Sequence, residues 1–137
     1  MMVRLVLGIL ALGCVSTMAH AQWAPPTSCD RFGGYEAQNC LNKAITEADK
    51  ALNVAYQRAQ AYITADTDTP ADQKPAWQAN LVKAQRAWIA YRNANCLFEL
   101  IGAEWDNRSG TTAAQQACVL DMTQRRTKEL TERYTSN

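Results

Sequence analysis

The residues able to do chemistry are few, and their spacings suit structure better than catalysis. The chain carries five cysteines, at 14, 29, 40, 96 and 118, and one histidine, His20. It has no Cys-x-x-Cys pair, and a single histidine does not complete a zinc ligand set. Asp66, Asp68 and Asp72 suggest a calcium loop, but the Gly and terminal Glu of an EF-hand are missing. Turn capping and solvation account for these aspartates. Glu99, Glu104 and Asp106 supply carboxylates of the kind glycoside hydrolysis needs, although such a run reads as solvated surface. Gly33-Gly34 has no phosphate-loop context, and there is no haem attachment motif. No catalytic residue, metal or other cofactor is therefore expected.

The N-terminus decides how many of these residues remain. Arg4 precedes an apolar run from Leu5 to Val15, shorter than the roughly 20 residues a bilayer span requires. Ala19-His20-Ala21 has the small-x-small pattern of a signal-peptidase site, so residues 1–21 read as a signal peptide cleaved after Ala21. A rival reading is lipidation, since Ala11-Leu12-Gly13-Cys14 resembles a lipobox and would anchor the chain at Cys14. Ala11 stands where leucine is usual, and apolar residues continue past Cys14. The expected location is the periplasm or the exterior of a bacterial envelope, with no membrane span.

Cleavage removes His20, and with it the usual general base and the commonest metal ligand. It also removes Arg4, leaving 13 of the 14 basic residues against 13 acidic ones. A chain of zero formal net charge offers no strongly basic groove for nucleic acid. The remaining residues, 137 less 21, suffice for one domain with a modest core.

Cys29, Cys40, Cys96 and Cys118 then form an even set in an exported chain, which reads as a disulfide framework. Four cysteines allow three connectivities. Cys29–Cys40 with Cys96–Cys118 is favoured because each bridge closes a short stretch, worth about 3 kcal/mol per loop. Cys40–Cys96 remains geometrically possible.

The elements that position these cysteines are helical. Residues 22–34, with Pro25-Pro26 and Gly33-Gly34, read as an irregular lead-in, and the domain proper as 35–137. Helix A is expected over Tyr35 to Thr64, with Leu41, Ile45, Ala48, Leu52, Ala55, Ala59 and Tyr62 stepping largely by four and three along one face. Asp66 to Pro70 reads as a turn and a helix start, with Asp or Thr as cap and Pro in the first turn. Helix B is expected over Pro75 to Ile101, with Trp77, Leu81, Ala84, Trp88, Tyr91, Asn95 and Phe98 on its inner stripe; its aromatics read as core. Gly102 to Gly110 reads as a loop containing the sequon Asn107-Arg108-Ser109. Helix C is expected over Thr112 to Tyr134 and, being the most polar, as a cover on a core built by A and B. The predicted fold is all-α, an antiparallel three-helix bundle stapled by two disulfides at one end.

Polar residues beside the apolar stripes suggest a structural layer of Asp49, Asn53, Gln85, Arg92 and Arg126. In antiparallel register Asp49 comes within reach of Arg92, and Arg126 comes level with Asn53. If the layer is buried, removing Asp49 strands arginines at a cost of about 3–5 kcal/mol.

The order Cys29 … Glu36 … Cys40 … Ala48-Asp49-x-x-Leu52-Asn53-x-x-Tyr56, then Ala84-Gln85-Arg86-Ala87-Trp88-Ile89-x-Tyr91-Arg92-x-x-x-Cys96, then Cys118 … Thr123-x-x-Arg126-Thr127-x-x-Leu130 resembles the lysozyme inhibitor LprI-like family, also catalogued as a domain of unknown function, DUF1311. The resemblance runs from about Cys29 to Leu130. Gly33-Gly34 departs from the Thr-x-x-Glu start frequent in the family. The resemblance implies a secreted or envelope-located bacterial helical domain with the disulfide pairing favoured above. It implies a non-enzymatic binding protein whose partner is a lysozyme or other cell-wall hydrolase. The alternative is a structural or stress-related envelope protein with no lysozyme target. For an inhibitor, the candidate contact loop is Glu104, Trp105, Asp106 and Arg108: Trp105 to anchor and Arg108 to meet a carboxylate in the target's cleft.

Overall fold

The computed structural model describes residues 22–98 and 100–135. Residues 1–21, where the sequence predicts an export signal, lie outside them with Cys14 and His20, as do Glu99 and the side chain of Phe98. The elements are α1 (Gly34–Ala65), α2 (Lys74–Asn93), a π-helical segment (Ala94–Phe98), α3 (Leu100–Glu104) and α4 (Thr111–Arg133), with no strand among the described residues.

The lead-in is held by a turn. The Thr27 amide donates to Asp30 Oδ2 at 3.0 Å, and the Thr27 hydroxyl donates to Oδ1 at 2.6 Å. The same hydroxyl oxygen accepts the Cys29 amide at 3.1 Å, which presents Cys29 to its bridge with Cys40. The second bridge joins Cys96 to Cys118. This is the short-loop pairing expected from the sequence, and the Cys40–Cys96 alternative is excluded.

The seam of α1 buries Leu41, Ala48, Leu52, Ala55, Ala59 and Ile63. Ile63, not Tyr62, takes the last fully buried place. Beyond Ala65, Asp66 accepts the Thr69 amide at 2.8 Å and shapes the turn, while Gln73 precedes α2 with no side-chain cap. The proline in the first turn of α2 is Pro75; Pro70 belongs to the connection. The expected Asp or Thr cap on α2 is therefore absent, and Asp66 serves the turn and not the helix.

Helix B is not continuous to Ile101. After Asn93 the chain widens into the π-helical segment, then resumes as α3 through Glu104, so the loop expected from Gly102 shrinks to residues 105–110. A π turn adds a residue to the helical circuit, and Cys96 falls inside it, facing Cys118.

The packing hierarchy also differs from expectation. α1 rests mainly on α4, and α2 lies against the pair with only Leu81 and Gln85 buried. α4 buries Ala114, Ala117, Cys118, Val119, Leu120, Thr123, Arg126 and Leu130, so it builds the core and does not merely cover it. Small residues explain this: Ala48, Ala55 and Ala59 on α1 face a helix whose buried face includes Ala117 and Thr123, so the two backbones can approach closely. Leu41 and Ala48 pack with Ala117 and Leu120 near the disulfides. Leu52, Ala55, Ala59 and Ile63 pack with Leu81 and Leu130, flanked by Trp77 and Tyr134. Ile45 touches both clusters at the disulfide end.

Candidate functional site

Four of the five residues expected in the polar layer are connected, in two separate pairs. Arg126 is buried; its Nε donates to Gln85 Oε1 at 3.1 Å and its Nη1 to Glu129 Oε2 at 2.8 Å. Arg92 Nη1 donates to Thr123 Oγ1 at 3.1 Å and reaches Asp49 Oδ1 at 3.4 Å. The Thr123 hydroxyl passes the interaction on by donating to the Val119 carbonyl at 2.7 Å. The Arg92 guanidinium also lies over the Trp88 ring, 5.2 Å from its centroid. Asn53 is exposed and makes no side-chain hydrogen bond among the described residues.

The two pairs carry different weight. The Asp49 side chain is 49% exposed, so its contact with Arg92 is a solvated ion pair worth about 1 kcal/mol or less. The cost attached to a buried Asp49 does not apply. The Arg126 side chain is 8% exposed, so the Arg126–Gln85 contact is the desolvated part of the layer. Thr123, fully buried, also joins this network; the sequence pattern pairs it with Arg126 on α4, but the expected layer left it out.

The loop after α3 is braced from within. The Asn107 amide donates to the Gly102 carbonyl at 2.9 Å, the Arg108 amide to the Trp105 carbonyl at 3.0 Å, and the Thr111 amide to the Arg108 carbonyl at 3.1 Å. Asp106 and Asn107 both sit at φ 51°, in the left-handed region their short polar side chains tolerate. Trp105 does not protrude. Its ring packs beneath Gly110 and against the Cys96–Cys118 cluster, and its indole nitrogen donates to the Trp23 carbonyl at 3.1 Å. One Glu104 carboxylate oxygen, Oε2, is sealed from solvent without a partner among the described residues. What the loop offers outward is Asp106 and Arg108, joined by a loose pair at 3.7 Å with the Arg108 side chain 73% exposed.

Among the described residues, titration is perturbed at two surface turns. Hydrogen bonds from the Thr27 side chain and amide hold the Asp30 carboxyl below its usual range, and Thr69 does the same for Asp66. Both carboxyls stabilise their turns. No cluster of three or more His, Cys, Asp and Glu suited to a metal occurs among the described residues. Nor is any helix there long and apolar enough to cross a membrane.

A family model described as lysozyme inhibitor LprI matches residues 29–130. The chain belongs to the LprI family. The LprI match opens at the first bridged cysteine and closes at Leu130, the last buried leucine of α4. Among relatives, uncharacterized protein R02472 of Rhizobium meliloti (strain 1021) is 31% identical over 122 residues, covering 87% of this chain and 86% of its own. Uncharacterized protein YecT of Escherichia coli (strain K12) is 29% identical over 96 residues, covering 68% of this chain and 59% of its own. No solved structure matches the chain.

Proposed function

We propose that this LprI-family chain is a non-enzymatic binding protein of the bacterial envelope that inhibits a lysozyme-type muramidase. In this reading residues 1–21 direct export and are removed, and the rest is an antiparallel three-helix bundle that holds a recognition loop. The observation that carries the reading is the family match across both disulfides and all the long helices. Muramidase clefts present acidic catalytic residues. Arg108, held out by a loop whose backbone is fixed on both sides, is the group suited to meet one of them. Fixing the loop before binding lowers the entropy lost on association. Trp105 serves here as the brace beneath the loop, not as the anchor.

A second reading, a structural envelope protein without a lysozyme target, is favoured by one observation. Many residues that carry the family likeness are interior ones: Gln85 and Arg126 are buried, and Thr123 and three of the four bridged cysteines fully so. A chain can keep them while its surface serves another role. Calorimetric titration of the protein into lysozymes separates the two. The inhibitor reading expects binding that Arg108→Glu weakens at least tenfold without altering the melting temperature. Binding unaffected by Arg108→Glu removes the loop from the proposal, and absence of binding removes the inhibitor reading itself.

A further inference from the structure

A hollow of about 290 Å³ lies on the face where α2 and α4 meet the lead-in, and none of the candidate contact-loop residues Glu104, Trp105, Asp106 and Arg108 lines it. Three aromatic rings line it, from Trp23, Trp88 and Tyr91. Two of them are not core: Trp23 is 45% and Tyr91 61% exposed. Trp23 is held at the rim from behind, since its carbonyl accepts the Trp105 indole. That contact gives the inward-turned Trp105 a purpose the loop alone does not explain.

The polar side of the hollow is balanced in charge. Asp121 and Glu129 stand against Arg125 and Arg126, paired as Arg125–Asp121 at 2.9 Å and Arg126–Glu129 at 2.8 Å. Asn95, from the π-helical segment, turns its amide nitrogen toward Cys118 Sγ at 3.3 Å, and its carbonyl oxygen has no donor among the described residues. Cations, anions and nucleotides each favour a site with an excess of opposite charge, which is lacking here. Flat aromatic faces beside pre-oriented planar donors and acceptors suit a neutral ring that has an apolar face and a rim of hydroxyls. A second, shallower hollow of about 450 Å³ adjoins the first, sharing Tyr91 and Asn95 and floored by Leu100. The two together leave room for more than one such ring.

We infer that the Trp23–Trp88–Tyr91 hollow is a saccharide-binding site, taking neutral pyranose units of an oligosaccharide by stacking on the aromatic rings and hydrogen bonding to Asn95, Asp121 and the paired arginines. This goes beyond the inhibitor proposal and does not depend on it.

The test is a titration of the full protein, without lysozyme, against chitotetraose and cellotetraose, followed by tryptophan fluorescence and calorimetry. Saturable binding of either sugar is expected. Tyr91→Ala and Asp121→Asn should each weaken it at least tenfold while leaving the circular dichroism melt unchanged, since Tyr91 lies outside the core and Asp121→Asn keeps the side-chain shape. Arg108→Glu should leave it unchanged. Absence of binding to both sugars up to about 10 mM, beyond the range of even weak specific recognition, overturns the inference. So does binding that both hollow variants leave intact. Because no lysozyme is present, either outcome leaves the inhibition result to be read separately.

Discussion

Arg126→Ala is the substitution that most directly probes the interior. The wild-type guanidinium satisfies Gln85 Oε1 at 3.1 Å, and Gln85 is itself buried. Truncation leaves that oxygen without its partner, which costs about 1–3 kcal/mol. The lost contact to Glu129 adds less, because Glu129 is 43% exposed and keeps Arg133 at 3.1 Å. Losing the packed aliphatic stem of Arg126 brings the sum to about 2–4 kcal/mol. For a domain of this size that lowers the melting temperature by roughly 8–15 °C. The assay is urea and thermal denaturation of Arg126→Ala, Gln85→Ala and the double variant. A coupling of about 1–2 kcal/mol is expected between the two positions. A single variant melting within about 2 °C of the wild type, near 0.5 kcal/mol by the same scaling, would refute the claim that this contact is buried and required.

Other expectations follow from the same structure. Asp49→Ala should cost about 1 kcal/mol or less, because its pair with Arg92 is half in solvent; a loss above about 3 kcal/mol in denaturation would show that contact to be desolvated after all. Replacing Cys96 and Cys118 together by serine should destabilise the fold by about 3 kcal/mol, and the Cys29/Cys40 pair by slightly less, since its loop separation is 11 residues against 22. Gly110→Ala should perturb the loop, because φ is +97° and the added carbon would lie 2.6 Å from the Trp105 ring; an unchanged near-ultraviolet spectrum would contradict this. Asp30 and Asp66 have depressed folded-state values, so their stabilisation is present above about pH 4 and fades as pH falls through the lowered values. Carboxyl titration by NMR should find both below the ordinary aspartate range.

The α1 seam was legible because a 32-residue amphipathic pattern repeats enough to fix its own phase. The cysteine pairing was legible from the short loops each bridge closes, while the helix order alone left Cys40–Cys96 open. The break at Ala94–Phe98 was not, since no Gly or Pro marks a π turn. The role of α4 was hidden for a related reason. Hydrophobicity ranks α4 low, but close packing rewards small residues such as Ala114 and Ala117, which a polarity scale undervalues. Gln85, Arg92 and Arg126 stand beside the apolar stripe because their positions repeat with it, and the structure gives each a polar partner. Asn53 was misplaced because one residue past Leu52 turns a side chain by about 100°, enough to carry it into solvent. The inward position of Trp105 depends on Trp23, 82 residues earlier, a contact no local pattern encodes.

The proposed function is that the folded protein binds a muramidase and does not itself hydrolyse the cell wall. One measurement tests it most directly: lysis of cell walls by a panel of lysozymes, titrated with the purified mature protein, alongside the protein alone. The account predicts saturable inhibition of at least one lysozyme at micromolar concentration, corresponding to about −8 kcal/mol of binding, and no lysis by the protein itself. Absence of inhibition across the panel, or lysis by the protein alone, would contradict it.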